Sequence, residues 1–381
     1  MLNARTAAAM AAAATAVTLL AGPAAAHAAP AVPPSPQWSR VSAGGGFTCA
    51  VQTNRTLWCW GDNEEGELGI RSHASHDAPV RVGLRAGWVQ VAAGSYHACA
   101  VRNDGTLWCW GDNHLGELGD GTTTASTVPV QVGTATDWAS VTGSDSTECA
   151  LRTDGTLWCW GYDDFGQVGN GTGGLTTDIV VSPVQIGAAD WTSVSAGVFT
   201  CGVQAGGSAW CWGSPVYGYG YAPAPLPGGG AWASVSVGGD SACGIQTDQT
   251  VWCWGDDNGG QLGGGKSGPP ASVPVQAAAG DSWRQVTAGG GHVCALHGGS
   301  SWCWGNNAEG QAGNGTTATF TVPVKTGVPP SYNWAQVSAG GVADTCGIQR
   351  GGSLWCWGLN YGGQLGIGST AGQETTPQQV T

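Results

Sequence analysis

Seven copies of one Trp- and Cys-bearing unit run along the chain, and this repeat limits the possible folds more than any other feature. Each unit opens with a single Trp and later carries a Cys, a turn and the run Trp-Cys-Trp-Gly, as in Trp58–Gly61. With three Trp and two Cys in each, the seven units account for all 21 Trp and all 14 Cys. Self-similarity at about 50 residues is typical of propellers and other repeat architectures. The opening residues are Trp38, Trp88, Trp138, Trp191, Trp232, Trp283 and Trp334.

The two Cys of a unit are spaced as partners on a β-hairpin. In the second unit Asn103-Asp104-Gly105 lies midway between them, which predicts a three-residue turn with a left-handed Gly. The sixth unit is one residue shorter there, which predicts a two-residue turn at Gly298-Gly299. The loop changes while the Cys register does not, so opposed cross-strand disulfides are the simplest interpretation, although sequence leaves other pairings open. Arg55 and Gln249 replace the turn Gly in units one and five, and we expect strain there. The expected pairs are Cys49–Cys59, Cys99–Cys109, Cys149–Cys159, Cys201–Cys211, Cys243–Cys253, Cys294–Cys303 and Cys346–Cys356.

Two more strands complete each unit. One begins at the opening Trp, and another contains a Pro-Val-Gln-Val run such as Pro129–Val132. Four short strands repeated seven times predict an all-β, seven-bladed β-propeller of four-stranded antiparallel blades. An open solenoid is the alternative. The run Pro377–Val380 near the C-terminus corresponds to the strand that is missing before Trp38, so we expect this C-terminal strand to complete the first blade and close the ring.

The chain begins as an exported protein does. Residues 1–29 combine Arg5, an uncharged apolar run and small residues, which predicts a secretory signal peptide. A Pro-rich lead-in at 30–37 then precedes the propeller at 38–381. An even number of Cys agrees with disulfides formed outside the cytosol. We expect a secreted monomer without a membrane span, and the net charge of −13 argues against nucleic-acid partners.

The runs Trp60–Gly69, Trp110–Gly119 and Trp357–Gly366 resemble the regulator of chromosome condensation repeat, as does the Ala-Gly-Gly-Gly-His-Val-Cys-Ala-Leu run at 288–296. The resemblance covers the chain from Trp38 onward and implies a seven-bladed propeller. The family's founding member is a guanine-nucleotide exchange factor. We expect no exchange activity here, because the chain is acidic, is predicted to be exported and has no blade insertion. The secreted bacterial β-lactamase inhibitor with this fold is a nearer analogue, and it grips its target through loops on one face.

Positions that vary within the repeat are the candidates for binding. The loop before the first Cys of each unit varies, and it matches the contact loops of the inhibitor. Seven such loops are expected to converge on one end of the propeller, offering aromatic anchors with a polar surround. The alternative is that these side chains only line the central channel. The candidates are Phe47, Tyr96, His97, Asp145, Glu148, Phe199, Asp240, His292 and Asp344.

Unit four departs from the repeat and supplies three more candidates. Tyr217, Tyr219 and Tyr221 replace the usual loop after Trp-Gly. They are expected either to form an exposed patch that stacks on peptides or sugars, or to fill the space that the lost motif leaves. The second interpretation is favoured.

Chemistry-bearing patterns are sparse. His73, His76 and Asp77 give only a weak indication of a metal site, so no metal or cofactor is expected. We therefore expect a non-enzymatic protein that binds a protein or peptide partner through one face. The alternatives are a carbohydrate-binding propeller and, with less support, a hydrolase using clustered acids such as Asp145 or an exchange factor by family analogy.

Overall fold

The structure is a computed structural model that describes residues 36–174, 178–278, 280, 282–327 and 333–380. The predicted signal peptide and residues 30–35 of the lead-in lie outside the described residues. Seven four-stranded antiparallel sheets form the seven predicted blades, which confirms the fold class. Among the described residues, no helix is long and apolar enough to cross a membrane.

The strands follow the repeat, and each blade uses four consecutive strands. The first three blades comprise β1 Trp38–Ala43, β2 Phe47–Gln52, β3 Leu57–Gly61, β4 His76–Arg81; β5 Trp88–Ala93, β6 His97–Arg102, β7 Leu107–Gly111, β8 Ser126–Gln131; β9 Trp138–Val141, β10 Thr147–Arg152, β11 Leu157–Tyr162 and β12 Ile179–Gln185. The fourth and fifth comprise β13 Trp191–Ala196, β14 Thr200–Gln204, β15 Ala209–Trp212, a 3-10 helix Pro215–Tyr217, β16 Ala224–Pro225; β17 Trp232–Val237, β18 Ser241–Gln246, β19 Val251–Asp257 and β20 Gly268–Gln276. The last two comprise β21 Trp283–Ala288, β22 His292–His297, β23 Ser300–Gly305, β24 Phe320–Lys325; β25 Trp334–Ala339, β26 Asp344–Gln349, β27 Leu354–Leu359 and β28 Gln373–Gln379.

The hairpin between the second and third strands has the predicted register. Cys49 pairs directly with Cys59, with 4.1 Å between their Cα atoms, and the other six blades repeat this arrangement. All seven predicted disulfides are thereby confirmed, and no described Cys is free. The expected strained turns are also found, since Arg55 and Gln249 have φ of 64° and 67°.

Neighbouring blades share a repeated contact made by the third Trp of every unit except the fifth. The indole of Trp110 donates 2.7 Å to the carbonyl of Glu67 in the loop that follows Trp-Gly in the preceding blade. Trp160, Trp212, Trp304 and Trp357 donate to the same loop of their own preceding blades. Blade four lacks this loop motif, and the buried indole nitrogen of Trp254 in blade five has no partner among the described residues. The repeat motif is therefore an inter-blade connector.

Closure of the ring differs from the prediction. The C-terminal strand β28 pairs with β27 and completes the seventh blade, while the first blade has its own fourth strand, β4. The prediction that Pro377–Val380 completes the first blade was wrong because the Pro-Val-Gln-Val strand ends a unit and does not begin one. The ring closes by side-to-side packing of blades seven and one, with Trp60 donating 2.9 Å to the carbonyl of Gln364. Val380 adds to the apolar core between them.

Candidate functional site

Loops of two kinds meet at one end of the propeller. Strand two begins where strand three ends, as the pairing of Phe47 with Gly61 shows. The loops before the first Cys and the loops after Trp-Gly therefore lie together, and we call this end the cysteine-loop face. The turns between strands two and three lie at the opposite end, the hairpin face.

The mouth of the central channel opens on the cysteine-loop face. The innermost strands end there in Ala and Gly residues, which enclose a cavity of about 190 Å³. Neighbouring backbones are in contact: the amide of Gly45 donates 3.0 Å to Gly94, and that of Gly341 donates 2.9 Å to Gly44 across the closure. A Cβ on Gly44 would lie 2.5 Å from the carbonyl of Gly94. The small residues are thus required by close approach, and the mouth presents mostly backbone.

Most of the predicted contact side chains are buried. The prediction that they face a partner is wrong for them, because a side chain enclosed by two blades cannot contact another molecule. Each of these residues lies at or next to the first residue of strand two, and its side chain packs in the space between two blades. They are Phe47 and His97 at 1% exposure, Glu148 and Phe199 at 0%, His292 at 1% and Asp344 at 0%.

Two of these positions connect blades through polar contacts. His97 Nε2 lies 2.5 Å from Glu148 Oε1, between blades two and three. Burial by itself would lower the pKa of His97, but the charge and hydrogen bond of Glu148 raise it. His292 Nε2 lies 2.9 Å from Thr345 Oγ1, and burial without a charged partner lowers the pKa of His292 to about 4. The two imidazoles therefore have structural roles, and their pKa values are shifted in opposite directions.

Three predicted residues do reach solvent near the channel mouth. Tyr96 is 57% exposed, and Asp145 and Asp240 are exposed. Asp145 accepts a hydrogen bond from the hydroxyl of Ser95. Partial burial and the charge of Asp256 raise the pKa of Asp240.

An acidic groove lies beside Tyr96, and it was not predicted from the sequence. It has a volume of about 320 Å³ and lies between blades one and two. Burial raises the pKa of Glu67 to about 7, and burial together with Glu64 raises that of Asp62. The available signal was the Glu-Glu-Gly-Glu run at 64–67, which is absent from the other units. The lining residues are Gly45, Asp62, Glu64, Glu65, Glu67, Tyr96 and Asp112.

Two exposed aromatic residues on this face were also missed. Phe165 is 50% exposed and Tyr361 is 70% exposed, both in loops after Trp-Gly. A Cβ on Gly362, beside Tyr361, would lie 2.4 Å from Asp62 Oδ1, so Tyr361 adjoins the acidic groove. Both occupy variable positions inside the repeated motif after Trp-Gly, outside the loops before the first Cys for which binding residues were predicted.

The tyrosines of unit four divide between the two interpretations. Tyr219 is 7% exposed, with its ring centroid 5.3 Å from that of Phe199, so it fills the space left by the lost motif, as the favoured interpretation expected, and is not part of an exposed patch. Tyr217 is half-buried against the same ring. Tyr221 is 38% exposed and packs beside Gly166 of blade three. The lost motif is largely replaced by aromatic filling, and a stacking patch would rest mainly on Tyr221.

His73, His76 and Asp77, the residues with a weak indication of a metal site, do not bring their ligand atoms together in the described structure. His73 Nδ1 lies 2.8 Å from the carbonyl of Glu64. Within the described part of the chain, the group with ligand atoms close enough to share an ion is Glu65, Asp112 and His114, at the edge of the acidic groove. His114 contacts Asp112 directly, so these side chains also satisfy one another.

Comparison with known families and structures agrees with the architecture. Models of the regulator of chromosome condensation (RCC1) repeat match residues 38–67, 88–117 and 139–167, and residues 56–101, 104–151, 154–203, 248–296, 298–342 and 351–381. No curated protein matches the chain significantly in sequence.

Solved structures share the fold at low identity. Prp20p of Saccharomyces cerevisiae is 17% identical with a TM-score of 0.75, covering 91% of this chain and 87% of that one. Yeast RCC1 (Prp20) bound to Kap60 is 17% identical with a TM-score of 0.74, covering 91% and 85%. Human WBSCR16 is 20% identical with a TM-score of 0.52, covering 91% and 82%. With RCC1 repeat models matching well over half of its length, the chain belongs to the regulator of chromosome condensation (RCC1) repeat family.

Proposed function

We propose that this protein is an exported, non-enzymatic binding protein whose cysteine-loop face recognises a basic surface on a partner protein. The observation that carries the proposal is that Tyr96, Phe165 and Tyr361, all at least half exposed, share this face with the acidic groove. Exposed aromatic anchors beside polar groups are the usual composition of a recognition surface.

The charge of this face selects the partner. Neither the channel mouth nor the acidic groove has a Lys or Arg among its described lining residues. Asp62, Glu64 and Glu65 therefore have no Lys or Arg counterion among these lining residues, and Asp112 is paired with His114. An Arg or Lys side chain of a partner would enter the groove with opposite charge and could lie against the ring of Tyr96.

Glu67, the groove residue with a strongly raised pKa, has a structural role. The Glu67 carboxylate accepts 2.9 Å from the amide of Glu65, and Gln364 holds the amide of Gly362 in the same way in blade seven. Glutamine makes the same contact in blade seven, so the contact does not depend on a group that can release a proton. The raised pKa of Glu67 therefore gives no support to acid catalysis. Protein partners also suit the fold, since the yeast neighbours are described as bound to Kap60 and as binding Gsp1p and histones.

Export is supported by the covalent structure. Seven buried disulfides, one in each blade, are typical of proteins that fold in an oxidising compartment. The predicted signal peptide at residues 1–29 would deliver the chain there.

A comparative capture experiment tests the proposal. The immobilised protein would be exposed to extracellular and envelope proteins, in parallel with a variant carrying Tyr96→Ala, Phe165→Ala and Tyr361→Ala. A control variant would carry Val273→Ala and Val322→Ala, which remove exposed apolar side chains from outer strands. For a captured protein, we expect Kd to rise at least tenfold in the aromatic variant and to stay unchanged in the control.

The dependence of capture on salt and on added free sugar provides the results that would contradict the proposal. A basic partner should lose affinity steeply as salt is added, because exposed charge pairs are screened. Equal capture by all three baits, or a partner indifferent to salt, would refute the proposed face. Displacement of the captured material by free sugar would instead favour the carbohydrate-binding alternative.

A further inference from the structure

A second groove lies on the outer rim between blades one and two. It has a volume of about 930 Å³, which lies in the range of ligand-binding pockets. The groove runs beside β4, the outermost strand of its blade, and reaches the loop that follows it. Its lining residues include Ile70, Arg71, Arg81, Leu84, Arg85 and Trp108.

Arg71 breaks the repeat at a conformationally demanding position. Its φ is 64°, whereas the five other blades with the motif place Gly there, at Gly121, Gly171, Gly265, Gly315 and Gly368. A left-handed conformation costs a non-Gly residue about 1–2 kcal/mol. The backbone bond made here needs no side chain, since Arg71 donates 2.9 Å to Thr127 just as Gly121 donates 2.9 Å to Val181. Arg71 therefore occupies a backbone conformation that a Gly would adopt with less strain, and such strain is concentrated at functional sites.

Three arginines give the groove a charge opposite to that of the protein. Only 12 of the 381 residues are Lys or Arg, yet Arg71, Arg81 and Arg85 line this one groove. Among its described lining residues none is Asp or Glu. Arg81 Nη2 donates 3.0 Å to the carbonyl of Leu84, while its buried Nε has no partner in the described part of the chain. Positive charge is thus concentrated in a groove whose described lining residues include no carboxylate.

Apolar surface is exposed beside these charges. Leu84 is 90% exposed, at a position where blades two and three carry Thr134 and Ala188. The Arg85 guanidinium lies 4.7 Å from the ring centroid of Trp108, a cation–π contact that holds it at the groove wall. An occupant of this groove must therefore combine carboxylates with apolar side chains.

We propose that this rim groove binds an acidic, apolar peptide segment of a partner protein. Carboxylates would pair with the forked guanidinium groups, and apolar side chains would cover Ile70, Leu84 and Trp108. A peptide suits the site because the groove follows β4, the edge strand of its sheet. The site is separate from the cysteine-loop face, and its charge selects the opposite kind of partner.

Fluorescence anisotropy tests the proposal with a labelled hexapeptide of alternating Glu and Leu or Phe. Arg71→Gly and Arg81→Gln restore residues that other blades carry, so both variants should fold. We expect each to raise Kd at least tenfold, and Arg85→Gln to do the same. The control is Lys325→Gln, at the blade-six position that corresponds to Arg81.

Three results would overturn the proposal. These are no peptide binding at millimolar concentration, equal binding by the arginine variants, and equal binding of a peptide with Gln in place of Glu. Binding of a free aromatic carboxylate or an oligonucleotide in preference to the peptide would also overturn it. The variant lacking Tyr96, Phe165 and Tyr361 should retain the peptide, which separates this test from that of the cysteine-loop face.

Discussion

Replacing Asp344 with Asn should change how stability depends on pH. Asp344 is fully buried, and neither carboxyl oxygen has a partner in the described part of the chain. The enclosure is tight, because a Cβ on Gly340 would lie 2.4 Å from Asp344 Oδ1. Burial raises the pKa of Asp344 to about 8, so the folded protein holds this proton at neutral pH.

The sign of the effect follows from proton binding. In the unfolded chain an Asp ionises near pH 3.9, roughly four units lower. Between those values the folded state holds one more proton, so the stability that Asp344 contributes is complete below pH 4 and is lost as pH rises through 8. At about 1.36 kcal/mol per unit, the loss is about 5 kcal/mol. With an unfolding entropy of roughly 0.7 kcal/mol per kelvin for a chain of this size, Tm would fall by about 7 °C.

Calorimetry of the two proteins from pH 4.5 to 9 measures this directly. Asp344→Asn mimics the neutral carboxyl, so its Tm should exceed that of the unmodified protein by an amount that grows with pH. Taking the difference at each pH cancels other groups such as His292. A difference for Asp344→Asn that stays flat over this pH range would refute the reasoning.

Two further predictions concern blade contacts and turns. Glu148→Gln or His97→Gln should each lower the free energy of unfolding by about 1–3 kcal/mol, since either removes one partner of the buried His97–Glu148 contact and leaves the other polar group unsatisfied. The double variant should lose less than the sum, and strict additivity in denaturant titrations would show that the two side chains do not interact. Arg55→Gly should raise stability by about 1 kcal/mol by relieving a left-handed φ of 64°. Gly105→Arg should lower it by more, because its Cβ would lie 2.0 Å from the Thr136 carbonyl, and equal stability of the two variants in thermal melts would contradict this.

The repeat made much of the fold predictable because its signals are local. Cys spacing determines hairpin register within a dozen residues, and the turn residues between the Cys must suit that register. The predicted strain at Arg55 and Gln249 followed from the same alignment. The closure prediction failed because a strand run can join either of two neighbouring blades, and adjacency in sequence does not decide which.

The candidate site was only partly predictable, and the reason is geometric. Strand two is buried on both faces, since each blade packs against two neighbours, so the usual alternation of apolar and polar residues is absent there. His97, Phe199 and Asp344 therefore vary in sequence as exposed residues would, although they lie between blades. Phe165 and Tyr361 are exposed although they lie inside the repeated motif.

The sequence by itself determined the seven units and their strands, and it made a hairpin disulfide in each unit the simplest interpretation, because these features depend on contacts between residues close in the chain. Tertiary structure decided which variable side chains reach solvent and which ones meet across blades. The rim groove depends on it as well. Arg71, Arg85 and Trp108 come from two units, and only the stacking of blades one and two brings them to one surface.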